Sequence, residues 1–129
     1  MRHRDNKKIE LNLGAQKRSL VERSLLTNLV KHGAIKTTKK KAKVLKSVAD
    51  KFFSKMVSMH TKLEKKDFER EAIRLTKATI FGEAEGKKVI REIVPMLIAS
   101  KKTSGFIADY KLGARAGDAA EEILVKIAA

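Results

Sequence analysis

Cysteine and tryptophan are absent from this chain of 129 residues, proline occurs once, at Pro95, and tyrosine once, at Tyr110. Without cysteine there is no disulfide framework, no thiol nucleophile and no thiolate zinc site, which is compatible with a reducing compartment. With a single proline there is no stiff spacer, and no internal repeat breaks the chain into units. Long apolar runs are missing too. The longest, residues 93–99, is far below the ~20 residues a helix needs to cross a bilayer. Met1-Arg2-His3-Arg4 imitates the basic start of a signal peptide, but Asp5, Asn6, Lys7 and Lys8 follow in place of an apolar stretch. The expectation is a soluble chain without an export signal.

Acidic residues are scarce relative to basic ones: 15 Asp and Glu face 30 Lys and Arg, a formal net charge of +15. Such self-repulsion is relieved by a polyanionic partner. The excess is uneven, with 14 basic and 4 acidic residues in positions 1–50, so the binding face is expected towards the N-terminus. Hydrophobic residues make up 43% of the chain, enough at this length for one modest core.

Residues 1–14 show no sustained periodicity and read as a basic arm, able to reach about 45 Å when extended and expected to be disordered alone. Residues 15–129 read as one domain. Leu20, Val21, Leu25 and Leu29 place a first helical face over residues 15–32, with Gly33 as its stop. Ala34 to Thr37 reads as a short strand. A second helix is expected from Thr38, whose hydroxyl can cap it, through Ala42, Leu45, Ala49, Phe52, Phe53 and Met56. Residues 64–80, with Phe68, Ala72, Ile73, Leu75 and Ile80, give a third helix. A loop is expected around Gly82 and Gly86, then a fourth helix through Val89, Ile93 and Leu97 that Pro95 kinks or shortens. Beyond Gly105 the period falls to two, in Phe106, Ala108, Tyr110 and Leu112 and again in Ile123, Val125 and Ile127. A turn with Gly113 and Gly117 suits an antiparallel hairpin, although residues 119–129 alone also fit a helix. The fold class is therefore α/β of the α+β type: a single small domain of about four helices on a short mixed three-stranded sheet, with an extended arm.

Sites for catalysis are not evident. His3, His32 and His60 are not gathered with carboxylates at metal-ligand spacing, so no metal is expected. Residues 82–88 resemble a phosphate-binding loop only superficially, with three residues between glycines in place of four and no Ser or Thr after the lysine. Asp118, Glu121 and Glu122 lack an apolar pocket that would separate their protonation. No serine elbow occurs. An enzyme is not the expectation.

What remains is basic. Lys36, Lys39, Lys40, Lys41, Lys43 and Lys46 crowd around Thr37 and Thr38 at an expected helix start, where free amides and the dipole also favour anions. Arg2, Arg4, Arg18 and Arg23 add planar forks suited to phosphate or guanine edges. Phe52 and Phe53 have core spacing, and the interleaved basic and aromatic pattern of an RNA-recognition sheet is missing. The same charge would suit an architectural DNA-binding protein, which composition alone does not exclude, though no helix-turn-helix or basic zipper pattern is present. Membrane attachment through the lysine run is the weaker alternative, since the second helix keeps its apolar face for packing.

Met1-Arg2-His3-Arg4, Leu11-Asn12, Arg18, Arg23, Leu29-Val30-Lys31-His32, Ile35-Lys36-Thr37-Thr38, Lys41-Ala42-Lys43 and Arg115-Ala116-Gly117-Asp118-Ala119 occur in an order and spacing that resembles the bacterial ribosomal large-subunit protein seventeen family over nearly the whole chain. The resemblance implies a structural protein of the cytoplasmic ribosome, without cofactor, small-molecule substrate or membrane. Its partners would be large-subunit ribosomal RNA near the exit of the nascent-chain tunnel and neighbouring large-subunit proteins. Candidate RNA contacts are then Arg2, His3, Arg4, Lys7 and Lys8 in the arm, and Lys17, Arg18, Arg23, Lys31 and His32 along the first helix. Lys36, Thr37, Thr38, Lys39, Lys40, Lys41 and Lys43 at the strand-to-helix junction and Arg115 in the hairpin complete the set, with Thr37 and Thr38 mainly as strand end and cap. The chain departs from the family pattern at Leu13 and Ala108, where arginine is usual, and at Lys39-Lys40, where Leu-Pro is common; Lys39 and Lys40 would restore charge nearby.

Overall fold

A computed structural model describes residues 10–128. Helix α1 (Ala15–His32) leads into strand β1 (Ala34–Thr38), which passes directly into the long helix α2 (Lys39–Lys62). Helix α3 (Lys65–Thr79) follows, and a fourth rod is assembled from α4 (Glu83–Lys88), a π-helical turn (Val89–Ile93) and α5 (Val94–Ala99). Strands β2 (Ile107–Ala114) and β3 (Glu121–Ile127) close the chain. The sheet order is β1-β3-β2, and both pairings are antiparallel. A mixed sheet was the expectation. The last strand instead inserts between the other two and runs opposite to each.

Gly33 ends α1 in the left-handed conformation, φ 77°, with its N–H on the Leu29 carbonyl at 2.7 Å. Only glycine adopts that conformation without steric cost, and it turns the chain at once into β1. The buried stripe of α2, Ala42, Leu45, Ala49, Phe52, Phe53 and Met56, runs through the centre of the core. Fully buried partners come from several other regions: Leu26, Leu29 and Val30 of α1, Val89, Val94 and Leu97 of the fourth rod, Phe106, and Val125 of β3. The Phe52 and Phe53 rings meet edge to face at 5.2 Å, a preferred aromatic geometry.

Four expectations are revised. Leu20 is 53% exposed, and the buried face of α1 is Leu26, Leu29 and Val30, with Val21 and Leu25 half-buried. The last turns of α1 lie over α2, whereas its first turns run past the core. Ile73 of α3 is likewise exposed. Gly86 lies buried within α4 and not in a loop, and a Cβ there would meet the Thr76 hydroxyl at an ordinary contact distance of 3.5 Å. Pro95 does not end the rod, which continues beyond it to Ala99, and it stands in the first turn of α5. The Val94 N–H reaches back five residues to the Val89 carbonyl, and this wider π turn lies just before the proline, which has no N–H to place.

The helices cover one face of the sheet. Ile123, Val125 and Ile127 of β3 point into the core, so by alternation Glu122, Leu124 and Lys126 lie on the opposite face. Asp50 of α2 holds the sheet to the helices: its Oδ1 accepts the backbone N–H groups of Phe106 at 3.0 Å and Ile107 at 3.2 Å. A bulge at Leu112, between Lys111 and Gly113, lets β2 continue beyond the core into the hairpin.

Candidate nucleic-acid interface

The junction between β1 and α2 gathers the densest positive charge. Lys36 projects from the exposed position of β1, and Lys39, Lys40, Lys41 and Lys43 are exposed on the first turns of α2. Thr38 occupies the N-cap position with extended backbone, but its hydroxyl makes no capping hydrogen bond, contrary to the expected role. The first turn of α2 contains no acidic residue. Cations at a helix N-terminus oppose the macrodipole, and the first amides of a helix lack intrahelical partners. Lysines and free amides together therefore form a site that an anion would stabilise on both counts.

Two lysines nearby are tied to the sheet. Lys39 Nζ pairs with Glu121 at 3.0 Å, and Lys46 Nζ with Asp109 at 2.5 Å. The Lys46 hydrogen bond holds the Asp109 carboxyl below its ordinary range and raises the Lys46 ammonium in turn. Lys39 lowers Glu121 in the same way, with Lys43 adding to the field. Lys36, Lys40, Lys41 and Lys43 form no ion pair among the described residues. Their charge remains for a partner.

The arginines are used differently. Arg18 and Arg23 lie about 14–21 Å along the α1 axis from its C-terminal end, away from the lysine cluster. Arg18 Nη1 bonds Glu10 at 2.6 Å, and Leu11 beside it is buried, so the residues just before α1 are held against the domain. Arg23 lays its guanidinium 4.1 Å from the centre of the Phe81 ring and donates through Nη2 to the Lys77 carbonyl at 3.4 Å. It lines a groove together with Ile73, Ile80, Phe81 and Ile90. Lys17, Lys31 and His32 are exposed on α1. Arg115 grips Asp118 through both its Nε, at 2.9 Å, and Nη2, while the same carboxylate accepts the Ala120 N–H at 3.2 Å. These bonds hold Asp118 far below the usual carboxylate range and lock the hairpin turn. Arg2, His3, Arg4, Lys7 and Lys8 lie outside the described residues.

The structure thus joins Lys36 and the α2 lysines in one cluster and separates them from Arg18 and Arg23. It also adds residues that the sequence reading did not select. Lys126 faces outward one strand from β1, and Tyr110 lies exposed in the same register row as Lys36. Alternation in the final strands was a signal for both, but their proximity to Lys36 depends on pairing between distant segments. Among the described residues no cluster of His, Asp or Glu could hold a metal ion, and no helix is long and apolar enough to cross a membrane. Asp118, Glu121 and Asp109 each sit beside a cation, an arrangement that neutralises their charge.

A small, basic α+β domain of this kind has counterparts among known proteins. The family profile described as Ribosomal protein L17 matches residues 21–128. The chain is 33% identical to the large ribosomal subunit protein bL17 of Fervidobacterium nodosum over 130 aligned positions, covering 98% of each chain. It is 33% identical to the bL17 protein of Thermotoga neapolitana, covering 98% of this chain and 94% of that one, and 32% identical to that of Thermotoga maritima with the same coverage. The chain belongs to the ribosomal protein L17 family. Ribosomal protein is what the family's description and these relatives' names say of its members.

Proposed function

We propose that the chain takes its place in the large ribosomal subunit, as its relatives' names state of them, and binds large-subunit ribosomal RNA near the exit of the nascent-chain tunnel. The observation that carries RNA binding is the cluster of Lys36, Lys40, Lys41 and Lys43 at the acid-free start of α2, without ion-pair partners among the described residues. Lys39, Lys17, Lys31, His32 and the outer residues of α1 extend this surface, and the arm residues Arg2, His3, Arg4, Lys7 and Lys8 add cations that can enter an RNA crevice. Thr37 and Thr38 shape the junction. Arg115 and Arg23 act chiefly within the protein, as turn clamp and packing cation. Neighbouring large-subunit proteins complete the environment, and no cofactor or small molecule is called for.

Binding of this kind releases counterions, so with six to ten phosphates contacted the affinity falls roughly a thousandfold or more between 50 and 200 mM salt. Sedimentation of lysate through sucrose gradients tests the placement. Stoichiometric comigration with free large subunits, together with a steep salt dependence for the purified protein on large-subunit RNA, supports the reading. Accumulation at the top of the gradient or with the nucleoid overturns it in favour of a DNA-binding role.

A further inference from the structure

Among the described residues no helix covers the outer face of the sheet, and its register assembles an ordered surface. Lys36, Leu124 and Tyr110 form one cross-strand row; Ala34, Lys126 and Ala108 form the next. Leu124 alternates with Ile123 and Val125, both buried against the helices, so these rows look outward. Tyr110 exposes 54% of its surface, and Leu112 beside it is exposed in the bulge. Strand spacing puts the Lys36 and Tyr110 backbones about 10 Å apart with Leu124 between them. Lys36 and Lys126 are exposed, and neither forms an ion pair among the described residues. The face's carboxylate, Glu122, stands at its far end opposite Thr38 and Gly113, where its charge acts on Arg115.

An apolar protein partner laid on this face would bury two lysines without counter-charges, which is costly. A polyanion that also offers flat, unsatisfied rings complements it on both counts. Unpaired bases stack on aromatic side chains, whereas bases within a duplex already stack on one another. We infer that the open face receives an unpaired RNA segment, with one base stacked on the Tyr110 ring and flanking phosphates on Lys36 and Lys126. The inference rests on the RNA-binding reading above and extends it from backbone neutralisation at the start of α2 to base contact on the sheet.

Tyr110 is the sole tyrosine and tryptophan is absent, so intrinsic tyrosine emission reports this one residue. The full chain is titrated with an unstructured single-stranded RNA oligonucleotide and, separately, with an RNA duplex. Anisotropy of labelled RNA follows binding, and tyrosine emission follows stacking. The expected result is quenching by the single strand and little by the duplex. Tyr110→Ala then weakens single-strand binding at least about fivefold, the size of the weaker base–aromatic stacks, with duplex affinity unchanged, and Tyr110→Phe restores it. Lys126→Ala weakens single-strand binding and makes its salt dependence shallower. Tyr110 is exposed, so these variants leave the core intact, which circular dichroism verifies. Single-strand binding without quenching, equal quenching by the duplex, or an unchanged affinity in Tyr110→Ala overturns base contact while leaving the lysine cluster its role. Failure of both RNAs to bind overturns this inference and the RNA-binding reading together.

Discussion

The start of α2 and the surface of α3 and α4 carry similar densities of charge and handle it in opposite ways. In α3 and α4 acids are interspersed among the cations and three pairs form one turn apart: Asp67 with Arg70 and Glu71 with Arg74 at 4.0 Å, and Glu83 with Lys87 at 2.8 Å. Pairs at such spacing cancel locally and contribute only tenths of a kcal/mol each. Residues 36–43 hold no acid at all, and the two nearby lysines that do find one, Lys39 and Lys46, reach across to β3 and β2. A surface that only has to be soluble alternates its signs. A surface that leaves its lysines unmatched concentrates a field that stabilises a bound polyanion and disfavours the free domain.

The contrast is broken most directly by charge removal. Replacing Lys36, Lys40, Lys41 and Lys43 together by Ala is expected to weaken binding to large-subunit RNA by roughly a hundredfold or more near 0.1 M salt, with a salt slope shallower by about one per lysine. Arg70→Ala with Arg74→Ala is expected to change the same affinity by less than about threefold. Filter binding over a salt series compares them, and equal losses from the two sets would erase the distinction.

Within the basic half, acids are used to hold structure. Asp50→Ala orphans the Phe106 and Ile107 amides and is expected to cost roughly 1–3 kcal/mol, read by urea unfolding. RNA affinity measured below the unfolding transition should stay near that of the parent. Arg23 sharpens the boundary between the two regions. Its contact with Phe81 assigns it to packing, so Arg23→Ala is expected to lose about 0.5–2 kcal/mol of stability, with a loss of RNA affinity smaller than that of any two lysines in the cluster. A larger affinity loss at unchanged stability would move Arg23 into the RNA surface.

The smallest effect concerns pH. Hydrogen bonding by Lys46 lowers Asp109 and raises Lys46. The lowered carboxylate contributes stability that is fully present above its unfolded value, near pH 4, and is lost as pH falls through its folded value below that. The raised ammonium contributes below its unfolded value, near pH 10.4, and loses its contribution as pH rises through its folded one. Melting temperature is therefore expected to be flat with respect to this pair between about pH 5 and 9 and to fall on acidification below pH 4. Asp109→Asn should flatten part of that fall, and thermal melts at pH 2 to 5 measure it.

Much of this was legible in the chain itself. Gly33 followed by a β-rich tetrapeptide and a threonine announced the break between α1 and α2, because helix termination and restart depend on local dihedral preferences. The stripe from Ala42 to Met56 placed the central helix for the same reason. Leu20 misled, since several apolar faces of α1 share nearly the same period and only contact with α2 chooses among them. Gly86 misled because a glycine in a polar stretch signals a loop, while packing buries it inside α4 beside Thr76, which no local pattern encodes. Of the candidate interface, the lysines at the α2 start were readable as a contiguous run. The fate of Arg23 was not, because Phe81 lies far from it in sequence.

Charge balance, the helix starts and stops, the strand period of the last segments and family membership follow from the sequence by itself, because each depends on composition or on neighbours within a few residues. The sheet order β1-β3-β2, the pairing of Lys46 with Asp109 and the alignment of Lys36, Leu124 and Tyr110 on one open face were decided only by tertiary structure. Cross-strand register joins segments about ninety residues apart, and it is selected by burying Ile123 and Val125 against the helices, a condition that exists only once the whole core has closed.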